Sequence, residues 1–260
     1  MNDESTAAPG QPPALRIDGR VATLTLRRPT VANRLELADL DLLRTQLDEV
    51  NARPEVLVLR LAGEGRHFCS GFNIGEIGDG NDAGARFEAV ADALEAARPI
   101  TLAVLHGGVY GGATDLALAC DFRLGAPACE MFVPAAKIGL LFYRGGLERY
   151  VSRLGLATAK RVMLAGDKLD AQAMLDCRFL DRLAPSADAL HAMAGELTAT
   201  LAGMAPLALL GMKKHLNRIA RGTLDAAEIA RDIREADDSH DLREGALAHK
   251  QKRAPVFLGR

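Results

Sequence analysis

A chain of 260 residues, 48% apolar and 25% charged, is long enough to bury a sizeable core and has neither a disordered nor a membrane-embedded composition. Its formal net charge of −2 supplies no overall field for nucleic acid or an anionic membrane, so any anionic ligand must be held by local groups. The four cysteines show no CxxC spacing and no accompanying histidine cluster, which offers no zinc or redox-pair pattern; reduced thiols in a soluble, cytoplasmic protein are expected, with no metal.

Residues 1–13 are polar and proline-rich without an apolar stretch, and read as a disordered tail rather than a signal peptide. Leu15 to Ile17 and Val21 to Leu26 alternate on either side of Asp18-Gly19, the pattern of a β-hairpin. From Glu36 to Asn51, Leu37, Leu40, Leu43, Leu47 and Val50 recur every three or four residues, which predicts one apolar helix face. Val56 to Leu59 reads as a buried strand. A glycine-rich loop from Gly63 to Gly84, a helix from Arg86 to Ala97 and a strand from Ile100 to Leu105 follow. Strands alternating with helices predict an α/β layer, here residues 14–200, and residues 201–260 read as a separate helical region. No stretch approaches the roughly 18 uninterrupted apolar residues of a membrane helix, and no repeat of fixed period occurs.

Two segments join a buried strand, a turn of small residues and a helix. One is His67-Phe68-Cys69-Ser70-Gly71-Phe72-Asn73-Ile74; the other runs from His106-Gly107-Gly108 through Gly111-Gly112-Ala113-Thr114-Asp115 to Cys120-Asp121. Glycine lets a ligand approach the backbone, and a helix start presents unpaired N–H groups. Taken alone, the second turn serves equally for oxyanion binding, phosphate binding or tight packing. Neither a GxGxxG fingerprint nor a Walker loop is present.

Taken together and in this order, the pair resembles the FxAGxDL and GxxxGGGxELALxCD motifs of the crotonase superfamily, the enoyl-CoA hydratase/isomerase family. The likeness extends from about Leu15 to Phe257 and includes Arg28-Pro29 and Glu244-Gly245. It implies a ββα superhelix with a C-terminal helical trimerisation region, assembled as a homotrimer or dimer of trimers. It also implies an acyl-CoA substrate, with CoA carried on the substrate and no separate cofactor. By the same likeness, the amides of Phe72 and Gly112 would hold a thioester oxygen as an enolate forms. Ser70 would meet the CoA adenine through its main chain, Arg66 would lie near the CoA phosphates, and Arg28 and Val31 would line that arm. Lys252 would reach the CoA of a neighbouring subunit.

The departures bear on the reaction. Hydratases of the family place two glutamates around a water; here the first position is Asp115 and the second is Ala135. Deprotonating a water and redelivering its proton takes a pair of groups, so isomerisation is favoured over two-glutamate hydration. Decarboxylation, thioester hydrolysis and CoA binding with little catalysis stand as alternatives. Asp115 is either a single acid/base or a carboxylate stabilising the first turn of its helix. Tyr143 either orients substrate or packs at the rim, and Arg144 either meets a substrate carboxylate or pairs with Glu148. Glu130 lies near the missing glutamate in sequence or is simply exposed on a strand, and His67 and His106 receive no role. The acyl group is set by the segment from Gly75 to Arg86 and by the helical tail.

Overall fold

The computed structural model of the chain describes residues 10–76 and 82–260. It opens with antiparallel strands β1 (Gln11–Asp18) and β2 (Val21–Arg27), joined through Gly19 at φ +54. Gln11, Pro12 and Pro13 therefore belong to a strand rather than to the tail. β1 is an edge strand, and its pairing skips between Gln11 and Ala14, where two prolines have no N–H to offer a ladder. Residues 1–9 lie outside the described residues.

Helix α1 (Leu37–Asn51) begins at reciprocal hydrogen bonds between Glu36 and Asp39 and buries Leu40, Leu43, Leu47 and Val50. Strand β3 (Val58–Gly63) starts two residues after the apolar run does, because the amides of Leu57 and Val58 both turn to the carbonyl of Arg20. Helix α2 (Ala83–Glu95) and strand β4 (Ile100–Leu105) follow. Next come β5 (Val109–Tyr110), α3 (Gly112–Ala119), β6 (Phe122–Gly125), β7 (Glu130–Phe132) and α4 (Arg144–Lys160). Short elements β8 (Leu169–Asp170), α5 (Ala171–Asp176) and β9 (Arg182–Leu183) lead to α6 (Ala187–Ala202).

Two sheets result. The larger has the order β1-β2-β3-β4-β6-β9, parallel from β2 onward, and the smaller has the order β5-β7-β8. Every residue of β4 is buried, as expected of a parallel strand covered on both faces. Leu59, Leu61, Ala103 and Leu105 face the helices α1 and α2, while Val58, Leu102, Val104 and Leu124 meet Leu190, Ala194, Leu197 and Leu201 of α6. This α/β architecture is that of the ββα superhelix expected above. Because β3 and β4 are parallel neighbours, the loops that leave their C-terminal ends emerge on the same edge. These are the two glycine segments, and such an edge is where open α/β sheets form binding crevices.

Pro206 opens α7 (Pro206–Ala220) after a 108° turn from α6; α8 (Ala226–Asp237) and α9 (His240–Gln251) complete the chain. Residue 200 lies within α6, which covers the sheet, and α7 begins at Pro206. Helix α7 docks on the core through a polar stripe. Buried Lys213 reaches the carbonyl of Pro99 at 2.6 Å and Asp121 at 2.7 Å, and Asn217 donates to the carbonyl of Glu95 at 3.0 Å. Its other side exposes Met212, Leu216 and Ile219.

Replacing Lys213 by Ala leaves Asp121 beside Thr101 without its counter-ion. Breaking one side of a buried pair costs about 3 kcal/mol. Urea unfolding of Lys213→Ala should show a lowered midpoint at an unchanged slope, and a midpoint equal to wild type would contradict the docking role.

Candidate active site

The segment after β3 runs between two others like a strand. On one side the amide of Ser70 donates to the carbonyl of Ala32 at 2.8 Å, and Leu35 bonds the carbonyl of Gly71 and the amide of Asn73, both at 2.9 Å. On the other, Phe68 donates to Gly108 and Tyr110 donates to Cys69. Successive groups of extended backbone point to opposite sides. With Gly71 and Asn73 committed to Leu35, the N–H of Phe72 is turned away and has no backbone acceptor among the described residues.

Gly112 is the first residue of α3, where an N–H has no intrahelical partner, and it too has no backbone acceptor among the described residues. Gly111, at φ +54 and ψ −128, makes the turn into this helix, a conformation open chiefly to glycine. The two loops touch through Gly71 at φ +88: a Cβ there would stand 2.9 Å from both the Gly112 nitrogen and the Tyr110 oxygen. The loop that carries Phe72 and the first turn of α3 at Gly112 are thus packed in direct contact.

Asn33, missed in the sequence, fixes this arrangement. It is 1% exposed at φ +54; its Oδ1 accepts from the amide of Arg28 at 2.8 Å, and its Nδ2 faces the carbonyls of Glu64 and His67 at 2.8 and 2.9 Å. Its own carbonyl accepts from the thiol of Cys69, which burial pushes up to about 12 and which therefore stays protonated.

Aromatic rings wall the space. Phe87 of α2 lies against Gly112, and its ring is edge-on to Phe72 at 6.4 Å and tilted to Tyr143 at 6.1 Å; Phe142 stacks on Tyr143 at 4.8 Å. Asp115 and Arg149 are both wholly buried. Arg149 donates from Nε and Nη2 to the two carboxylate oxygens of Asp115 at 2.8 and 2.6 Å, and Tyr143 donates to Oδ2 at 2.5 Å. Oδ2 thus accepts twice and Oδ1 once, with Arg149 on both oxygens and Tyr143 on one. Beside them Thr114 meets Tyr150, so two successive pairs join α3 to α4. Burial alone would ease proton loss from Arg149, but the hydrogen bonds and charge of Asp115 more than reverse this and hold it above its ordinary value. Tyr143 is held well above 10, first by burial and then by the charge of Asp115.

Arg149 was not singled out from the sequence. The signal available was its place beside Tyr150 and Leu154 on the inward side of α4, since a cation there needs a carboxylate partner. Ala135, at the second glutamate position, is buried, and its neighbour Pro134 lies against Gly111. Glu130 sits on β7, where it accepts from Tyr110 at 2.5 Å and pairs with Lys168 at 2.6 Å. Arg144 pairs with Glu148 at 2.7 Å.

The residues expected along a CoA arm are scattered in their commitments. Arg28 is tied to Asp39 at 2.9 and 3.0 Å and to the carbonyl of Gly10, so using it on CoA would mean displacing Asp39. Val31 is 40% exposed beside Ser70, whose hydroxyl points to its carbonyl at 3.4 Å. Arg66 is exposed in the loop after β3, and Lys252 is exposed at the C-cap of α9, remote in sequence from both loops. Among the described residues no cluster of three or more His, Cys, Asp or Glu side chains is arranged to hold a metal. Of the segment Gly75 to Arg86, residues 77–81 lie outside the described residues.

The three tyrosines offer a check. Tyr110 is pushed up to about 12 by burial and by the hydrogen bond to Glu130, and Tyr143 and Tyr150 are raised by burial. An unfolded tyrosine ionises near 10, so above that pH the unfolded state loses protons that the folded state keeps, and stability falls as pH rises. Absorbance at 295 nm should stay flat through pH 10–11 and rise only with unfolding. A tyrosine ionising near pH 10 in the folded protein would contradict the geometry.

A family model for enoyl-CoA hydratase/isomerase matches residues 16–260. A probable enoyl-CoA hydratase of Mycobacterium bovis is 29% identical over 248 residues, covering 94% of this chain and 96% of that protein. An enoyl-CoA isomerase/hydratase of Mycosarcoma maydis is 32% identical over 230 residues, covering 83% and 81%. A crystal structure described as an enoyl-CoA hydratase/carnithine racemase from Magnetospirillum magneticum superposes with a TM-score of 0.89 at 27% identity, covering 96% of each chain. The fold, the order of the two glycine loops and these likenesses agree: the chain belongs to the enoyl-CoA hydratase/isomerase family.

Proposed function

We propose that the protein binds an acyl-CoA, polarises its thioester carbonyl between the amides of Phe72 and Gly112, and moves a proton on the resulting enolate. Isomerisation is favoured over hydration. The observation that carries this is the close packing of Gly71 on the start of α3, which sets Phe72 and Gly112, whose N–H groups have no backbone acceptor among the described residues, in touching segments and supports an oxyanion hole. Such donors are worth several kcal/mol when they are already aimed at developing charge.

Isomerisation needs one proton carrier, because the proton leaves one carbon and returns to another. Asp115 lies three residues after Gly112 with the Tyr143 hydroxyl on Oδ2, and in this reading it carries the proton as Tyr143 releases it. Ala135 supplies no second carboxylate for hydration. The bidentate grip of Arg149 on Asp115 favours a second reading, in which the amide pair works with no proton carrier. That would suit decarboxylation, thioester hydrolysis or CoA binding with little turnover.

CoA would arrive on the substrate, with Ser70, Val31 and Arg66 along its arm and no separate cofactor, and the reading places the protein in the cytoplasm. Met212, Leu216 and Ile219 form an exposed apolar stripe on α7, which supports assembly as a homotrimer or dimer of trimers, with Lys252 meeting the neighbouring subunit's CoA.

The test is exchange of the α-protons of a saturated acyl-CoA in D2O, followed by NMR. Gly112→Pro removes one donor at a helix position that suits proline; Phe87→Ala must accompany it, because a Cβ on Gly112 would meet the Phe87 ring at 2.6 Å. Exchange should fall by about 10²–10³ relative to Phe87→Ala alone. Exchange unaffected by the proline would refute the hole. Loss of exchange in Asp115→Asn, with the fold intact, supports the isomerase reading; persistence rules out Asp115 as the carrier, and acyl-CoA binding without exchange in the wild type supports the second reading.

A further inference from the structure

Arg149 uses one edge of its guanidinium for Asp115 and turns Nη1 to Asp92 at 2.6 Å and Glu95 at 3.3 Å, both on α2. Glu95 is nearly buried and is the hub of the far side. It accepts from Arg153 at 3.2 Å and from Nε of Arg221 at 3.0 Å, with Nη2 of Arg221 closer still. Arg221 also meets Glu148 and the carbonyl of Gly145 at the start of α4.

Arg221 is the C-cap of α7, and it follows Lys213 and Asn217 at intervals of four on the polar stripe that docks the C-terminal helices. The chain of contacts therefore runs from that region through Glu95 and Arg149 to Asp115 and Tyr143. Arg149 is contested: Asp92 and Glu95 pull Nη1 one way and Asp115 holds Nε and Nη2 the other. Two of Arg221's nitrogens satisfy Glu95 and leave its contact to Arg149 the longer one, at 3.3 Å.

We infer that Arg221 is a positioning residue for the site, setting the placement of Asp115 and Tyr143 from the C-terminal helices through Glu95 and Arg149. Loss of its charge draws Glu95 onto Arg149, turns the guanidinium and shifts the Tyr143–Asp115 hydrogen bond. Only the consequence for proton transfer rests on the function proposed above; the coupling itself does not.

The experiment uses the full chain labelled with ¹³C at the tyrosine ζ carbon, which gives three signals, Tyr143 being assigned through Tyr143→Phe. Arg221→Gln should displace the Tyr143 signal and leave Tyr110 in place, and Arg221→Lys should return it toward wild type. Asn217→Ala removes a docking contact of the same stripe to the backbone carbonyl of Glu95, leaving the Glu95 carboxylate and its cations in place, and should leave Tyr143 unmoved. An unmoved Tyr143 signal in folded Arg221→Gln overturns the inference. Equal displacement in Asn217→Ala also overturns it, since loosened docking would then suffice. The readout requires no turnover, so its failure is distinct from failure of the proposed function. If the protein proves active, Arg221→Gln should lower kcat with little change in KM.

Discussion

At Gly71 and Gly112 two backbone segments meet with no room for a side chain between them. A Cβ on Gly71 would stand 2.9 Å from the Gly112 nitrogen, closer than real Cβ contacts come. The approach is possible because β3 and β4 are parallel neighbours, so the loops that follow them leave the same sheet edge. It is held by Leu35 on one side and by Gly108 to Tyr110 on the other, which use up the hydrogen-bonding groups around Phe72 but not its own N–H. The amides of Phe72 and Gly112, on half-buried residues, have no backbone acceptor among the described residues, which is the ground for the oxyanion hole proposed above.

Charge in this part of the molecule is organised around the same helices. Asp115 lies in the first turn of α3, where the helix dipole favours a negative charge, and Arg149 answers it from α4. A buried pair of this kind gives little net stability against an apolar alternative, yet it is costly to break on one side. Its value is positional: it sets where Asp115 points and which hydroxyl it accepts. Asp115 and Arg149 are wholly buried, and lower polarity strengthens each of these hydrogen bonds.

Much of the frame was legible in the sequence because it is written in local patterns. The Asp18-Gly19 hairpin, the apolar stripe of α1 and the fully buried β4 each follow from spacing and composition within one segment. The start of β3 was not, because Val56 and Leu57 are as buried as the strand itself and the pairing of Leu57 and Val58 with Arg20 is a tertiary fact. The proline content of Gln11 to Pro13 suggested a tail, but an edge strand tolerates it. In the site, Phe72, Gly112, Asp115 and Tyr143 were picked out by family likeness, and the structure brings all four into one neighbourhood. What no local pattern could give was the partner of Asp115: Arg149 lies 34 residues away, and ion-pair choice depends on which helices meet. The same holds for Arg28, whose commitment to Asp39 can be seen only once α1 is packed.

The most direct measurement is the infrared spectrum of an acyl-CoA labelled with ¹³C at the thioester carbonyl, bound to the protein and compared with the free thioester in water. Two amides aimed at one oxygen should lower the carbonyl stretching frequency on binding and narrow its band. A bound thioester whose carbonyl band matches the free compound would contradict the account, because Phe72 and Gly112 would then hold nothing that the reaction needs.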